Sequence, residues 1–242
     1  MLTIARFNWP MYAGVFFLLV ASIAGLAFIE GRAQRAAGAF VLTGAAYFLI
    51  GSLVVSHLIY DRSALYRWEW LERALHGTSI REALFCHCGF DEASAALRSS
   101  LRHVHWQTLD HFDPRLMTEP SIRRARSLFP PTADTMSAPY DAWPVPAASA
   151  DLVLGLLAIH ELRTEAQRSA WFAESRRCLR PGGRLLLLEH VRDTANFLAF
   201  GPGFLHFHSV ASWRRCWKSA NFRSIDEFRI TPFVRVFVLE AS

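Results

Sequence analysis

Residues 151–190, DLVLGLLAIHELRTEAQRSAWFAESRRCLRPGGRLLLLEH, decide the fold. Asp151 to Leu157 is a short, nearly continuous apolar run and Arg184 to Glu189 is another, as strands buried on both faces of a parallel sheet require. Between them Leu162, Ala166, Ala170 and Ala173 recur at helical spacing with Phe172 and Leu179 beside them, while Glu165, Gln167, Arg168 and Glu174 fall on the side left to water. Arg176, Arg177 and Arg180 crowd the last turn, where cations complement the helix dipole, and Pro181-Gly182-Gly183 stops the helix. Strand, helix and strand make one crossover unit.

Upstream the composition changes. A hydrophobic fraction of 52% over 242 residues is high for a soluble chain, and the excess sits at the start. Met11 to Ile29 carries no charge, Glu30 to Arg35 is a polar step, and Ala36 to Tyr60 has no formal charge and only His57 near its end. Each apolar run is long enough, at about 1.5 Å per helical residue, to cross a bilayer core. Together they predict a transmembrane hairpin, and Gly38, Gly44, Ala45, Ala46 and Gly51 let its helices approach closely. A cleaved signal peptide fits less well, because Arg6 is the only leading charge and a second span follows directly. Trp68 and Trp70, on a helix just beyond the hairpin, are expected at the membrane interface.

The net charge of +5 comes from scattered arginines with no basic stripe interleaved with aromatics, so nucleic acid is not an expected partner and anionic lipid headgroups are. Thr118 to Arg126 reads as a short basic helix on a solvated face or against headgroups. Of the four cysteines only Cys86 and Cys88 are close, without the second pair that a zinc site needs. They read as buried reduced thiols, and no metal is expected. The remaining elements are a strand at 81–88, a helix at 91–101, a strand at 103–110 and a brief strand at 135–137 within the proline-rich stretch from Phe129 to Pro146. A helix at 209–220 and two closing strands at 222–230 and 233–240 follow. Phe197 to Phe207 is apolar, glycine-containing and too short to span, which suits a lipid-facing lid.

D-L-V-L, A-I-H-E-L and C-L-R-P-G-G-R-L-L-L-L-E resemble the fourth strand, helix and fifth strand of class I S-adenosylmethionine (SAM)-dependent methyltransferases, most closely the ubiquinone/menaquinone C-methyltransferase type. Trp143-Pro144-Val145-Pro146 is similar to that family's L-P-F-P step and Ser149-Ala150-Asp151-Leu152-Val153 to its S-F-D-L-V. The resemblance spans roughly residues 60–240. It implies an α/β, Rossmann-like class I methyltransferase sheet of about seven strands with the last antiparallel, in a domain at 61–242 preceded by the two transmembrane helices of residues 1–60. It also implies SAM as cofactor, a bacterial-type inner-membrane location and a catalytic domain facing the cytoplasm, with both termini inside.

Cofactor contacts are carried over residue by residue. Tyr60 and Asp61 match a Y-D-x-x segment, and Gly89 and Asp91 stand in the loop after the first strand. Asp110, about 20 residues beyond Gly89, stands where an acid meets ribose hydroxyls, followed by His111 and Phe112, and Ala158 stands after the fourth strand. The loop departs from the V-L-D-x-G-C-G-T-G pattern: His87 replaces the first glycine, Asp91 the third, and Phe85 the strand's acid. Methyl transfer needs alignment and, for a hydroxyl or activated carbon, a base. His160, His190, His206 and His208 are the candidates, with Arg192 and Asp193 as orienting partners. The hairpin points to a lipophilic acceptor such as a quinone precursor, lipid phenol or lipid amine. Two alternatives stay open: a non-catalytic, membrane-tethered relative that serves a protein partner, and a metal protein using His87, Asp91, Glu92 and nearby histidines.

Overall fold

The computed structural model describes residues 2–241. Seven strands, β1 (Glu82–His87), β2 (His105–Asp110), β3 (Thr135–Ser137), β4 (Ala150–Leu156), β5 (Leu179–His190), β6 (Phe222–Thr231) and β7 (Val234–Ala241), form one sheet ordered β3-β2-β1-β4-β5-β7-β6. Every neighbouring pair is parallel except those made by β7, which runs antiparallel to β5 and β6. The strand order reverses between β1 and β4, and a crevice opens at the carboxyl ends of the strands there.

The apolar runs explain the layers. Alternate residues of β5 enter opposite cores: Leu185 and Leu187 pack with Trp171, Phe172, Trp213 and Trp217, while Leu186 and Leu188 pack with Trp68, Trp70, Leu71 and Leu97. Helices α6 (Glu165–Cys178) and α8 (Val210–Ser219) cover the first face; α3 (Trp70–Ala74) and α4 (Ser94–Ser100) supply the second. Thr164 and Gln167 close the start of α6 with a reciprocal capping box.

Three local expectations are corrected. The buried stripe of α6 is Arg168, Trp171, Phe172, Ser175 and Cys178, whereas Ala166 and Ala173 are exposed. Two indoles bury far more apolar area than a row of alanines, so they set the rotation of the helix. Trp68 and Trp70 lie in the core rather than at an interface, and the Trp70 indole N–H donates to Leu65 O at 2.9 Å. The Pro181-Gly182-Gly183 turn is absorbed into β5 as an irregularity in its pairing with β4, with Gly182 at φ +78°.

The N-terminal segment forms α1 (Leu2–Leu26) and α2 (Arg32–His57), which pack on one another. One apolar helical run, Arg32–Arg67 with mean hydropathy 2.0 in its best window, is long enough to cross a membrane. The apolar part of α1, Tyr12–Leu26, is shorter, roughly 22 Å at 1.5 Å per residue, so among the described residues one helix, where two spans are expected, is long and apolar enough to cross. Phe16, Phe17, Leu18, Phe40, Val41 and Ile50 are exposed on these helices.

Gly155 in β4 leaves room for a neighbouring turn: a Cβ there would lie 2.7 Å from Ile159 Cγ1 and 3.3 Å from the Trp171 ring. Gly155→Ala is expected to cost about 1–3 kcal/mol through overpacking. Thermal unfolding of the purified variant checks it, and an unchanged midpoint would mean that the Ile159 turn yields freely.

Candidate active site

A cavity of about 1070 Å³ occupies the crevice and continues beyond it. Its floor is Cys88, Glu92, Ala158, His160 and His190 at the strand ends. One wall is α5 (Pro120–Leu128), through Ser121, Ile122 and Ala125, and the other is the lid, through Phe200, His206 and Phe207. Its far end reaches Tyr12, Val41, Phe48 and Ser52 of the helical pair. The lid, α7 (Thr194–Phe200) followed by a 3₁₀ turn at Gly201–His206, rests on α2: the Phe197 and Phe48 rings are 6.0 Å apart, and a Cβ on Gly201 would strike Phe48. Leu157 enters the cavity wall with φ +49°, a left-handed conformation that costs an L-residue about 1–2 kcal/mol.

His190 is buried and its tautomer is fixed. Nδ1–H donates to Phe233 O at 3.0 Å, which leaves the Nε2 lone pair 3.3 Å from the Tyr60 hydroxyl, and the ring stacks on Phe207. Burial lowers its pKa to about 4, so the ring is neutral at pH 7 and able to take a proton. His160 is the opposite case. Burial pulls it down, but the Glu189 carboxylate and Glu161 outweigh burial and raise its pKa to about 10. Its Nδ1 donates to Glu189 Oε2 at 2.7 Å, with Glu189 wholly buried at the end of an apolar strand. His206 lies between Glu119 (3.2 Å) and Glu161 (3.4 Å), which raise its pKa. Burial brings Glu92 up to about 7, leaving a proton-carrying or anionic group in the wall.

The other expected catalytic residues hold the framework. Arg192 donates to Phe207 O and Leu205 O and so fastens the lid. Asp193 caps α7 through Asn196 N and pairs with Arg229. His208 sits between Arg168 Nη1 at 2.9 Å and His160 O at 3.1 Å. None of the three lines the cavity.

The expected cofactor contacts also divide. Tyr60 and Ala158 line the cavity. Asp61 pairs with His57 at 2.6 Å, and Asp91 accepts from Ala93 N and Ser94 N at the start of α4. His111 is buried, donating from Nδ1 to Ala138 O and accepting the Trp171 indole N–H at Nε2. Asp110 Oδ1 accepts from Gly89 N at 2.8 Å and Phe112 N at 3.0 Å, and Oδ2 is paired with Arg126 of α5. Gly89, at φ +94°, is needed here because a Cβ would lie 2.9 Å from the Phe112 ring and 3.0 Å from Ile122. His87 is buried 3.5 Å from Asp110 with no hydrogen-bond partner at either nitrogen, so His87, Asp91 and Glu92 do not converge as metal ligands.

The sequence profile of the methyltransferase domain family matches residues 115–187, from the end of the cofactor-side loops through β5. Residues 115–187 thus carry the signature of a methyltransferase domain. Solved structures share its fold. A SAM-dependent methyltransferase from Aquifex aeolicus is 13% identical, with 78% of this chain and 97% of that one covered and a TM-score of 0.54. A protein from Pyrococcus horikoshii is 14% identical, with 76% and 93% covered and a TM-score of 0.53. No curated protein sequence matches closely enough to count. The profile match begins after the β1 loop, the segment that departs from the glycine-rich pattern.

S-adenosyl-L-methionine is the cofactor that the methyltransferase-domain match implies, and the residues here suit that molecule at one end of the site. Glu92, Tyr60 and Ala158 border open space beside the β1 and β4 loops, where a carboxylate and an aromatic ring favour an ammonium or sulfonium cation. At the adenosine end Asp110 is held by Arg126, whose guanidinium lies 4.7 Å over the Phe112 ring and is about a third exposed. Sequence reasoning missed Arg126, Glu119, Glu161 and Glu189. Only Glu189 left a signal, as a carboxylate closing an apolar strand that could not stay buried unpaired.

Proposed function

We propose that this SAM-dependent methyltransferase acts on a lipophilic acceptor, a quinone precursor or lipid phenol, drawn from the membrane in which its N-terminal helices are anchored. The observation that carries this reading is the continuity of the cavity from His190 at the strand ends to Phe48 and Tyr12 on the helical pair. The exposed rings along those helices and the length of the Arg32–Arg67 run support the anchor. A cytoplasmic setting follows from the location of the cofactor, and places both termini inside.

When bound, SAM supplies an electrophilic methyl group. Tyr60, Glu92 and Ala158 would hold its methionine end, and Asp110 would accept from ribose hydroxyls with Arg126 displaced toward water. His190 Nε2 takes the acceptor proton while Phe233 O keeps the other nitrogen protonated. Phe200 and Phe207 shut bulk water out of the transfer point.

The test is to give the full chain in lipid nanodiscs labelled SAM with either a quinone-containing lipid extract or the water-soluble extract of the same cells. Label in the organic phase supports the reading, and label confined to water-soluble acceptors contradicts it. Arg126→Ala is expected to tighten SAM binding several-fold by removing the competitor for Asp110, as calorimetry would read. Unchanged affinity would mean that Arg126 and the cofactor do not compete. The Arg126–Asp110 pair also favours a second reading, a tethered non-catalytic relative whose adenosine site stays shut.

A further inference from the structure

We infer that His160, Glu161 and His206 bind one divalent transition-metal ion, zinc by geometry, on the lid side of the cavity. Each offers one ligand atom, and the three atoms lie within 4.8 Å of one another. Glu161 Oε1 is 3.5 Å from His160 Nε2 and 3.4 Å from His206 Nε2. These separations are long for N–H···O bonds, which prefer about 2.7–3.2 Å. They match the edge of a tetrahedron with metal–ligand bonds of about 2.0–2.1 Å, whose corners lie roughly 3.4 Å apart.

The far nitrogen of each imidazole is held by a carboxylate. His160 Nδ1 donates to the buried Glu189 at 2.7 Å, and His206 Nδ1 lies 3.2 Å from Glu119. Such outer carboxylates fix the ring and raise ligand basicity at metal-bound histidines. Three carboxylates, Glu119, Glu161 and Glu189, thus surround two imidazoles, and a divalent ion offsets that excess of negative charge. Two histidines and one glutamate leave the fourth position open, and all three side chains line the cavity. Binding releases any proton on either Nε2 to solvent, so no co-reactant is needed. His160 and Glu161 come from the turn after β4 and His206 from the lid, so the ion would tie the lid to the sheet. The site rests on these side chains and not on the methyl-transfer reading.

The test is titration of the chelator-stripped, untagged full chain in detergent with Co²⁺, followed by its visible ligand-field absorption, and then displacement by Zn²⁺. One equivalent of saturable Co²⁺, lost to Zn²⁺, is expected. His206→Ala and Glu161→Gln should each weaken binding by about 10–100-fold or more, while His105→Ala, at an exposed histidine on the other end of the sheet, leaves it unchanged. Circular dichroism and the thermal midpoint confirm that the variants fold; both altered side chains line the cavity and belong to neither apolar core. No saturable binding below millimolar Co²⁺, or binding indifferent to both His206→Ala and Glu161→Gln, would overturn the site and leave protons as the occupants of Nε2. Neither readout involves methyl transfer, so failure here leaves the proposed activity standing.

Discussion

Replacing His190 by glutamine is expected to lower the rate of methyl transfer about 10²–10⁴-fold, the range by which a positioned base contributes, while the affinity for SAM stays near wild type. Glutamine keeps an amide that can donate to Phe233 O, so the variant removes the basic nitrogen more than the packing against Phe207. The split between rate and affinity separates a base from a mere wall residue. Tyr60→Phe, which deletes the hydroxyl 3.3 Å from Nε2, should have a smaller effect. The sign of the pH dependence follows from the pKa of His190, lowered by burial to about 4. The neutral ring is the active form, so the rate should hold from neutral pH down to about pH 5 and fall as pH passes through 4. Single-turnover rates across that range check it. An acid limb near pH 6.5, the ordinary histidine value, would assign the proton to another group.

The second large effect is on stability. Trp171→Ala is expected to cost about 3–5 kcal/mol, the usual range for deleting a buried large aromatic. Trp171 is wholly buried, packs edge-on to Phe172 at 5.1 Å, and donates its indole N–H to His111 Nε2 at 3.1 Å. The variant therefore opens a cavity and also strands the buried His111 acceptor next to the cofactor-side loop. His111 is neutral, since burial lowers its pKa to about 4, and its Nδ1–H remains on Ala138 O. Trp171→Phe should recover part of the loss by refilling the hole without restoring the N–H. A melting profile for Trp171→Ala indistinguishable from wild type would show that α6 is not the clamp on this face of the sheet.

The parts of this fold that were legible in the sequence are those written in local pattern. Leu185 to Leu188 form an uninterrupted apolar run closed off by the Pro181-Gly182-Gly183 turn, which suits a short strand covered on both faces. Val234, Val236 and Val238 alternate with Phe237 and Leu239 and, as expected, enter the cores on opposite faces of the sheet. What was illegible depends on contacts between distant segments. Arg168 looks like a solvated helix residue, yet it is buried because Leu162 O, Arg163 O, His208 and Ser212 take its guanidinium from two other stretches of chain. Trp68 and Trp70 suit an interface by composition, but the sheet offered a drier surface. Around the cavity, His160 and His190 were visible as histidines at strand ends. Their different characters come from partners at 161, 189 and 233, which no spacing rule brings together. Asp110 likewise stood at the right separation from Gly89, and it does bond that glycine. The cation that holds its other oxygen arrives on α5, a helix that reads from sequence as a solvated or lipid-facing strip.

The central claim, that this cavity still holds SAM although its loop has lost the glycine-rich pattern, is tested most directly by calorimetric titration of the detergent-purified full chain with SAM and S-adenosylhomocysteine. Saturable binding of both at one equivalent, weakened by Asp110→Ala, is the predicted result. No heat of binding from a chain that circular dichroism shows to be folded would contradict it and leave the domain a tethered relative without its cofactor.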